Sequence, residues 1–354
     1  MKTLKIGDLL AKVPIVQGGM GVGISLSGLA SAVANAGGVG VISTAGLGVI
    51  YNKISKDLNE ASIHGLREEL RKAREATKGI VGVNIMVALT NFADLVRTSI
   101  EEKADIIFAG AGLPLNLPSF LKEGSTTKLA PIVSSARALK VICRRWIGEY
   151  DYVPDAVVVE GPKAGGHLGY SHEQLNDPAY ALENVVPEVV EAAREIGEKN
   201  GKHIPVIAGG GIYTGEDIVK FMALGADGVQ MGTRFVATDE CDASDIFKQS
   251  YVDAKREDIE IIQSPVGMPG RAVRGTFLDS VKEGLKKPKQ CAFNCIKTCD
   301  VVHSPYCIML ALFNAFKGRL EHGYAFAGAN AWRAEKIETV KNLMHTLSTE
   351  YDAM

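Results

Sequence analysis

Three glycine-rich segments of this chain carry residues able to bind an anion, move a proton and line a flat ring. Residues 204–212 read Ile-Pro-Val-Ile-Ala-Gly-Gly-Gly-Ile, and residues 225–235 read Gly-Ala-Asp-Gly-Val-Gln-Met-Gly-Thr-Arg-Phe. Gly210 and Gly211 end one apolar run, and Gly232 and Thr233 end the next. Bare backbone N–H groups at such strand ends approach an anion closely, and the Thr233 hydroxyl can donate one more hydrogen bond. Tight turns alone would also use these glycines. Two glycine-bearing strand ends in consecutive order favour a phosphate site. The second segment is Glu160-Gly-Pro-Lys-Ala-Gly-Gly-His-Leu-Gly169. A lone histidine is most often structural, but His167 sits between glycines that leave it little to pack upon, and imidazole is a base near neutral pH. Glu160 is placed to accept hydrogen bonds from a polyol or ring. His64, His172, His203, His322 and His345 have no such context.

The third segment is Gln17-Gly-Gly-Met-Gly21, with Gly82-Val-Asn-Ile-Met86 beside it. Gly18 and Gly19 permit backbone contact with a flat ring, Met20 can pack on it, and Asn84 offers both a donor and an acceptor. Each is open to a plain turn or core reading when taken alone. Opposite a phosphate site they suggest a flat heterocycle across a barrel mouth, and FMN has that shape.

Eight short apolar runs must position these residues: 14–17, 38–43, 80–85, 105–108, 130–133, 156–160, 204–208 and 228–232. Continuous runs such as Val157-Val158-Val159 suit parallel strands covered on both faces. Helical stretches at 27–35, 63–76, 183–199 and 215–224 alternate with them, which predicts a (β/α)8 TIM barrel with its site at the strands' C-terminal ends. No G-x-G-x-x-G follows any strand, against a doubly wound fold. The rhythm stops after the last strand. The expected organisation is a barrel over 1–236, a small, mainly helical domain inserted over 237–328, and a final helix in 329–354 returning to the barrel.

With 39 Lys+Arg against 41 Asp+Glu, the net charge of −2 gives no basic field for nucleic acid or an anionic membrane. The uncharged tract 13–52 is cut by ten glycines and is not a membrane span. A soluble protein in the cytoplasm is the expectation, with a homodimer left open. Of 6 cysteines, Cys143 and Cys241 are isolated. Cys291, Cys295, Cys299 and Cys307 follow C-x3-C-x3-C-x7-C, and on a helix the first three would share a face. An iron–sulfur cluster or zinc is one reading, with His303 as a further ligand; reduced structural thiols or disulfides are the others.

QGGM, GVNIM, EGPKAGGHLG, PVIAGGGI and GADGVQMGTRF, in this order, resemble the FMN-dependent nitronate monooxygenase (2-nitropropane dioxygenase) family, which includes flavin-dependent enoyl-ACP reductases. The resemblance covers residues 1–236 and, in layout, the final helix. It implies an FMN-binding TIM barrel with a small helical substrate domain. It also implies that Gly18, Gly19 and Met20 line the flavin ring, with Asn84 bonding it. Glu160 and Gly165 would hold the ring and ribityl chain, with Ser134. Gly210, Gly211, Gly232 and Thr233 would take the phosphate with Gln230 close by, and His167 matches the catalytic histidine. Lys163 stands where many relatives carry a carboxylate, and the cysteine cluster lies outside the matching motifs. The favoured activity is nitronate oxidation, in which His167 removes or steers a proton beside the nitro group, flavin accepts an electron and oxygen completes turnover. The alternatives are an NAD(P)H-dependent enoyl-thioester reductase acting on an acyl-thioester, and a flavin- or metal-binding redox sensor.

Overall fold

The computed structural model describes all 354 residues. Eight parallel strands close into a barrel in sequence order: β1 (Ile15–Gln17), β2 (Val39–Ser43), β3 (Ile80–Met86), β4 (Ile106–Gly110), β5 (Lys128–Val133), β6 (Val157–Glu160), β7 (Val206–Gly209) and β8 (Gly228–Met231). Every residue of β2 and of β4 is buried. Helices cover their outer faces, so unbroken apolar runs fit here where an alternating pattern would not. The TIM barrel expected from the sequence is present, with strand ends shifted by one or two residues.

Inside the barrel, Val16, Val41, Phe108, Ala130, Val158 and Ile207 pack with Leu4, Ile6 and Ala11. The last three belong to an N-terminal hairpin, Leu4–Ile6 against Leu9–Ala11, which plugs the floor. Its strands are too short to announce themselves as a periodic pattern. One barrel joint is thin: β1 pairs with β2 only at Val16 and Val39. The buried Gln17 side chain completes it, its Nε2 donating to the Val41 carbonyl at 3.2 Å and its Oε1 accepting the Val41 N–H at 3.0 Å. Gly40 has a packing role, since a Cβ there would lie 1.8 Å from the Ala30 carbonyl oxygen. The helix Ser27–Asn35 therefore rests directly on β2.

The helix Gly215–Ala223 opens with a reciprocal capping box between Thr214 and Asp217. The final helix is Val340–Asp352, which occupies only the later part of the expected 329–354, and residues Ala331–Arg333 form a 3-10 turn. It packs against Gly215–Ala223 and Ser27–Asn35, which is where the eighth helix of the ring belongs. No helix is long and apolar enough to cross a membrane.

Between β8 and that helix lie the helices Asp245–Val252, Thr276–Lys282 and Ile308–Phe316, together with a hairpin, β9 (Ile259–Gln263) and β10 (Pro269–Val273). The hairpin was not evident in the sequence. Its ladder continues into the barrel's own loop: β10 pairs with Gly166–His167, Gly270 opposite His167 and Arg271 opposite Gly166. Residues 283–307 form neither helix nor strand, apart from one bridge between Ile296 and Leu89. The first three cysteines of the cluster are therefore not on one helical face. Asn294, at φ 42°, turns the backbone out of the right-handed helical region between Cys291 and Cys295.

Candidate active site

The C-terminal ends of the strands open into a cavity of about 400 Å³. Every cofactor residue nominated from the sequence lines it: Gly18, Gly19 and Met20 after β1, Asn84 in β3, Ser134 after β5, Glu160 and Gly165 at and after β6, Gly210 and Gly211 after β7, and Gln230, Gly232 and Thr233 at β8. His167 lines the same cavity, as does Lys163. What brings them together is the barrel itself, which gathers the ends of consecutive parallel strands at one rim.

The cavity is shaped for a ligand that touches backbone. A Cβ on Gly19 would fall 2.3 Å from that of Asn84, so only glycine leaves the chain bare at this wall. Gly210 and Gly211 take φ of 103° and 88°, the region that favours glycine, and expose the turn after β7. Across from them, Gly232 leads into the single turn Thr233–Val236, whose first N–H groups lack intrahelical partners. Thr233 Oγ1 accepts the Gly328 N–H at 3.0 Å, which leaves its own hydrogen to donate. A glycine-lined wall at one end and N–H and hydroxyl donors at the other match the ring and phosphate of FMN, so the residues present fit that group.

The His167 ring is held on two sides. Its Nε2 lies 2.7 Å from the Ser264 hydroxyl, and the ring packs edge-to-face with Phe326 at 5.0 Å between centroids. Burial pushes its pKa down to about 4, because the imidazolium would lose its hydration. The ring is neutral at physiological pH. The same burial pushes Glu160 up to about 7. Its position is fixed from behind, where Tyr170 donates to the Glu160 carbonyl at 2.8 Å.

Four contributors were missed from the sequence. Ser264 precedes β10 in the turn Ser-Pro-Val-Gly-Met-Pro and is 3% exposed. Phe326 and Tyr324 come from the segment Tyr-Ala-Phe-Ala-Gly-Ala-Asn, which crosses the cavity before the final helix. Arg271 reaches under the loop, its Nη1 donating to the carbonyls of Pro162 (2.7 Å) and Ala164 (2.6 Å). Burial lowers its pKa to about 10, still well above neutrality. The proline- and glycine-rich turn was the one local sign of Ser264. Nothing local marked Arg271.

Cys143 and Cys241 are buried, and their thiols are raised to about 12 by desolvation. All six cysteines are unpaired. Cys291 is exposed, while Cys295, Cys299 and Cys307 are half-buried. No three His, Cys, Asp or Glu side chains converge on a single ion position anywhere in the chain. This corrects the zinc reading, which needs four ligands around one point, and His303 instead pairs with Asp300 at 2.7 Å.

The family model for nitronate monooxygenase matches residues 2–350. Among curated relatives, a 5-hydroxy-7a-methyl-1-oxo-octahydro-1H-indene-4-carboxyl-CoA dehydrogenase of Mycobacterium tuberculosis is 28% identical over 77% of this chain, which spans 66% of that protein's length. A probable nitronate monooxygenase of Staphylococcus saprophyticus is 27% identical over 80% of this chain and 81% of its own. Among solved structures, FabK from Thermotoga maritima is similar with a TM-score of 0.72 and 29% identity, covering 96% of this chain and 93% of that one. With a full-length family match and a barrel whose nominated residues converge on one cavity, the chain belongs to the nitronate monooxygenase family of oxidoreductases.

Proposed function

We propose that this protein oxidises alkyl nitronates with molecular oxygen, using FMN at the barrel mouth and His167 as the base. The observation that carries this reading is a neutral, half-buried imidazole opening on the same cavity as the glycine-lined ends of β1, β7 and β8. FMN bound there supplies the electron-transfer chemistry. Gly210, Gly211, Gly232 and Thr233 hold its phosphate, and Gly18, Gly19, Met20 and Asn84 meet its ring. Glu160, Gly165, Ser134 and Gln230 serve the ring edge and ribityl chain. Nε2 is engaged with the Ser264 hydroxyl, and in the tautomer that carries its hydrogen on Nε2 the other ring nitrogen, Nδ1, is the acceptor for the proton on the carbon beside the nitro group. Burial keeps that nitrogen unprotonated across the physiological range, and Phe326 and Tyr324 keep bulk water from it.

One observation favours a second reading, an NAD(P)H-dependent enoyl-thioester reductase. The cavity extends past the nominated residues along Val22, Ile24, Val236, Met268 and Leu312, an apolar wall suited to an acyl chain. The CoA-linked relative and the likeness to FabK, an enoyl-ACP reductase, lie on the same side. Anaerobic absorption spectroscopy separates the two. The nitronate reading expects a flavin spectrum that NAD(P)H leaves unchanged and an alkyl nitronate bleaches. Prompt bleaching by NAD(P)H, reversed by an enoyl thioester, would overturn it. In either case His167→Ala should retain FMN and lower turnover by on the order of 10²-fold.

A further inference from the structure

We propose that Cys291, Cys295, Cys299 and Cys307 bind one iron–sulfur cluster in the insert, a single layer of side chains away from the main cavity. The site stands on its own, whatever the reaction at the barrel mouth.

The distribution of cysteines is the first argument. Cys143 and Cys241, at 1% and 4% exposure, pack as small apolar side chains in the core. The other four crowd into residues 291–307, where none is fully buried. Their segment is the second argument. The whole of 283–307 runs without helix or strand; loops that long in a compact chain are uncommon and usually functional, and contacts other than a regular backbone ladder must hold their shape. A polymetal centre does this directly, since ligand bonds replace the missing backbone ladder.

The backbone is also arranged around the sulfurs. Asn294, in its left-handed conformation, folds the chain back so that its N–H donates to Cys291 Sγ at 3.2 Å. Cys307 stands at the N-cap of the helix Ile308–Phe316. The N–H···S bond at Cys291 is of the kind that helps hold cluster sulfurs in place. Cys295 and Cys307 share one small apolar cluster with Val22, Val49 and Met309. Cys291 and Cys295 both line a second cavity of about 380 Å³ beside it. Lys286, Lys287, Lys289 and Lys297 lie on the same segment and offset the negative charge that four thiolates bring.

The choice of metal follows from geometry. Zinc draws four sulfurs to about 2.3 Å from one centre, and no such convergence exists here. In an iron–sulfur cluster each thiolate can take an iron of its own, so the sulfurs surround a larger volume. Val22 and Leu312 both line the main cavity and pack in the cluster that receives Cys295 and Cys307. A one-electron carrier at the thiols would therefore adjoin whatever redox group the barrel holds.

The test uses the full chain, purified without oxygen and treated with ferrous iron and sulfide. Iron and acid-labile sulfide should be found in about equal amounts, with a paramagnetic signal after dithionite reduction that flavin cannot produce. Cys295→Ser and Cys299→Ser should lose both, while Cys143→Ala keeps them and every variant keeps its flavin content. Zinc without sulfide, no metal after reconstitution, or iron and sulfide that survive both serine substitutions would each overturn the proposal. Should the serine variants not fold, the metal and sulfide content of the wild-type chain decides alone. Flavin content is read separately, so loss of the FMN reading and loss of this one are distinguishable.

Discussion

His167 and Glu160 face one cavity with pKa values displaced in opposite directions, and the stability of the cofactor-free protein should record both. His167 falls from 6.5 to about 4 and Glu160 rises from 4.5 to about 7, each through burial. For His167 the unfolded chain binds the proton more tightly, so stability is full above about pH 6.5 and is lost as pH falls toward 4. For Glu160 the folded chain binds the proton more tightly, so stability is full below about pH 4.5 and is lost as pH rises toward 7. At about 1.4 kcal/mol per pKa unit, moving from pH 7 to pH 5 costs the protein about 2 kcal/mol through His167 and returns about 2 kcal/mol through Glu160. The wild type hides both, because they nearly cancel. Two variants uncover them. His167→Gln should gain about 2 kcal/mol relative to wild type on going from pH 7 to pH 5, and Glu160→Gln should fall behind by about 2 kcal/mol over the same interval. Urea unfolding of the FMN-stripped proteins at both pH values supplies the numbers, and only the pH dependence of each difference is used. Lost contacts, such as that between His167 and Ser264, are common to both pH values. Differences that do not change with pH would refute the claim that these groups are buried, shifted and facing the same space.

Thr233→Val keeps the shape of the side chain but removes the acceptor for the Gly328 N–H and the hydrogen offered to a phosphate; FMN dissociation measured by fluorescence should be faster by roughly tenfold. Arg271→Met leaves the Pro162 and Ala164 carbonyls without their donor, so the loop before His167 should become open to limited proteolysis, with about 2 kcal/mol of stability lost. Asp242 accepts the N–H groups of Leu26, Gly28 and Leu29 at the start of the helix Ser27–Asn35. Asp242→Ala should lower stability by about 2 kcal/mol in thermal denaturation, and Asp242→Asn should restore part of it.

The barrel and the residues that line its mouth were legible in the sequence because each depends on local signals. Val157-Val158-Val159 and its counterparts are short, unbroken and apolar, and glycines at strand ends mark where the backbone must stay bare. Closure of the barrel then places residues as distant as Gly18 and Gly232 on one rim without any further information. The cysteine segment was misread for the opposite reason. A spacing of four looks helical whether or not the backbone can follow it, and one left-handed residue at Asn294 is enough to prevent it.

What surrounds His167 was not legible, because it is fixed by pairing across about a hundred residues of chain. Gly166–His167 is a two-residue strand, too short for any periodicity, and it exists only because β10 arrives from the insert to pair with it. That same arrival brings Ser264 to Nε2 and Arg271 beneath the loop. The insert is thus more than a cover over the cavity. It supplies the ladder that orients His167, the hydroxyl that meets its Nε2 and the guanidinium that holds the loop before it. Changes in the insert that never touch a substrate should therefore alter the proton-transfer step as well as binding, and the reach of the insert into the active site follows from a single short β-ladder.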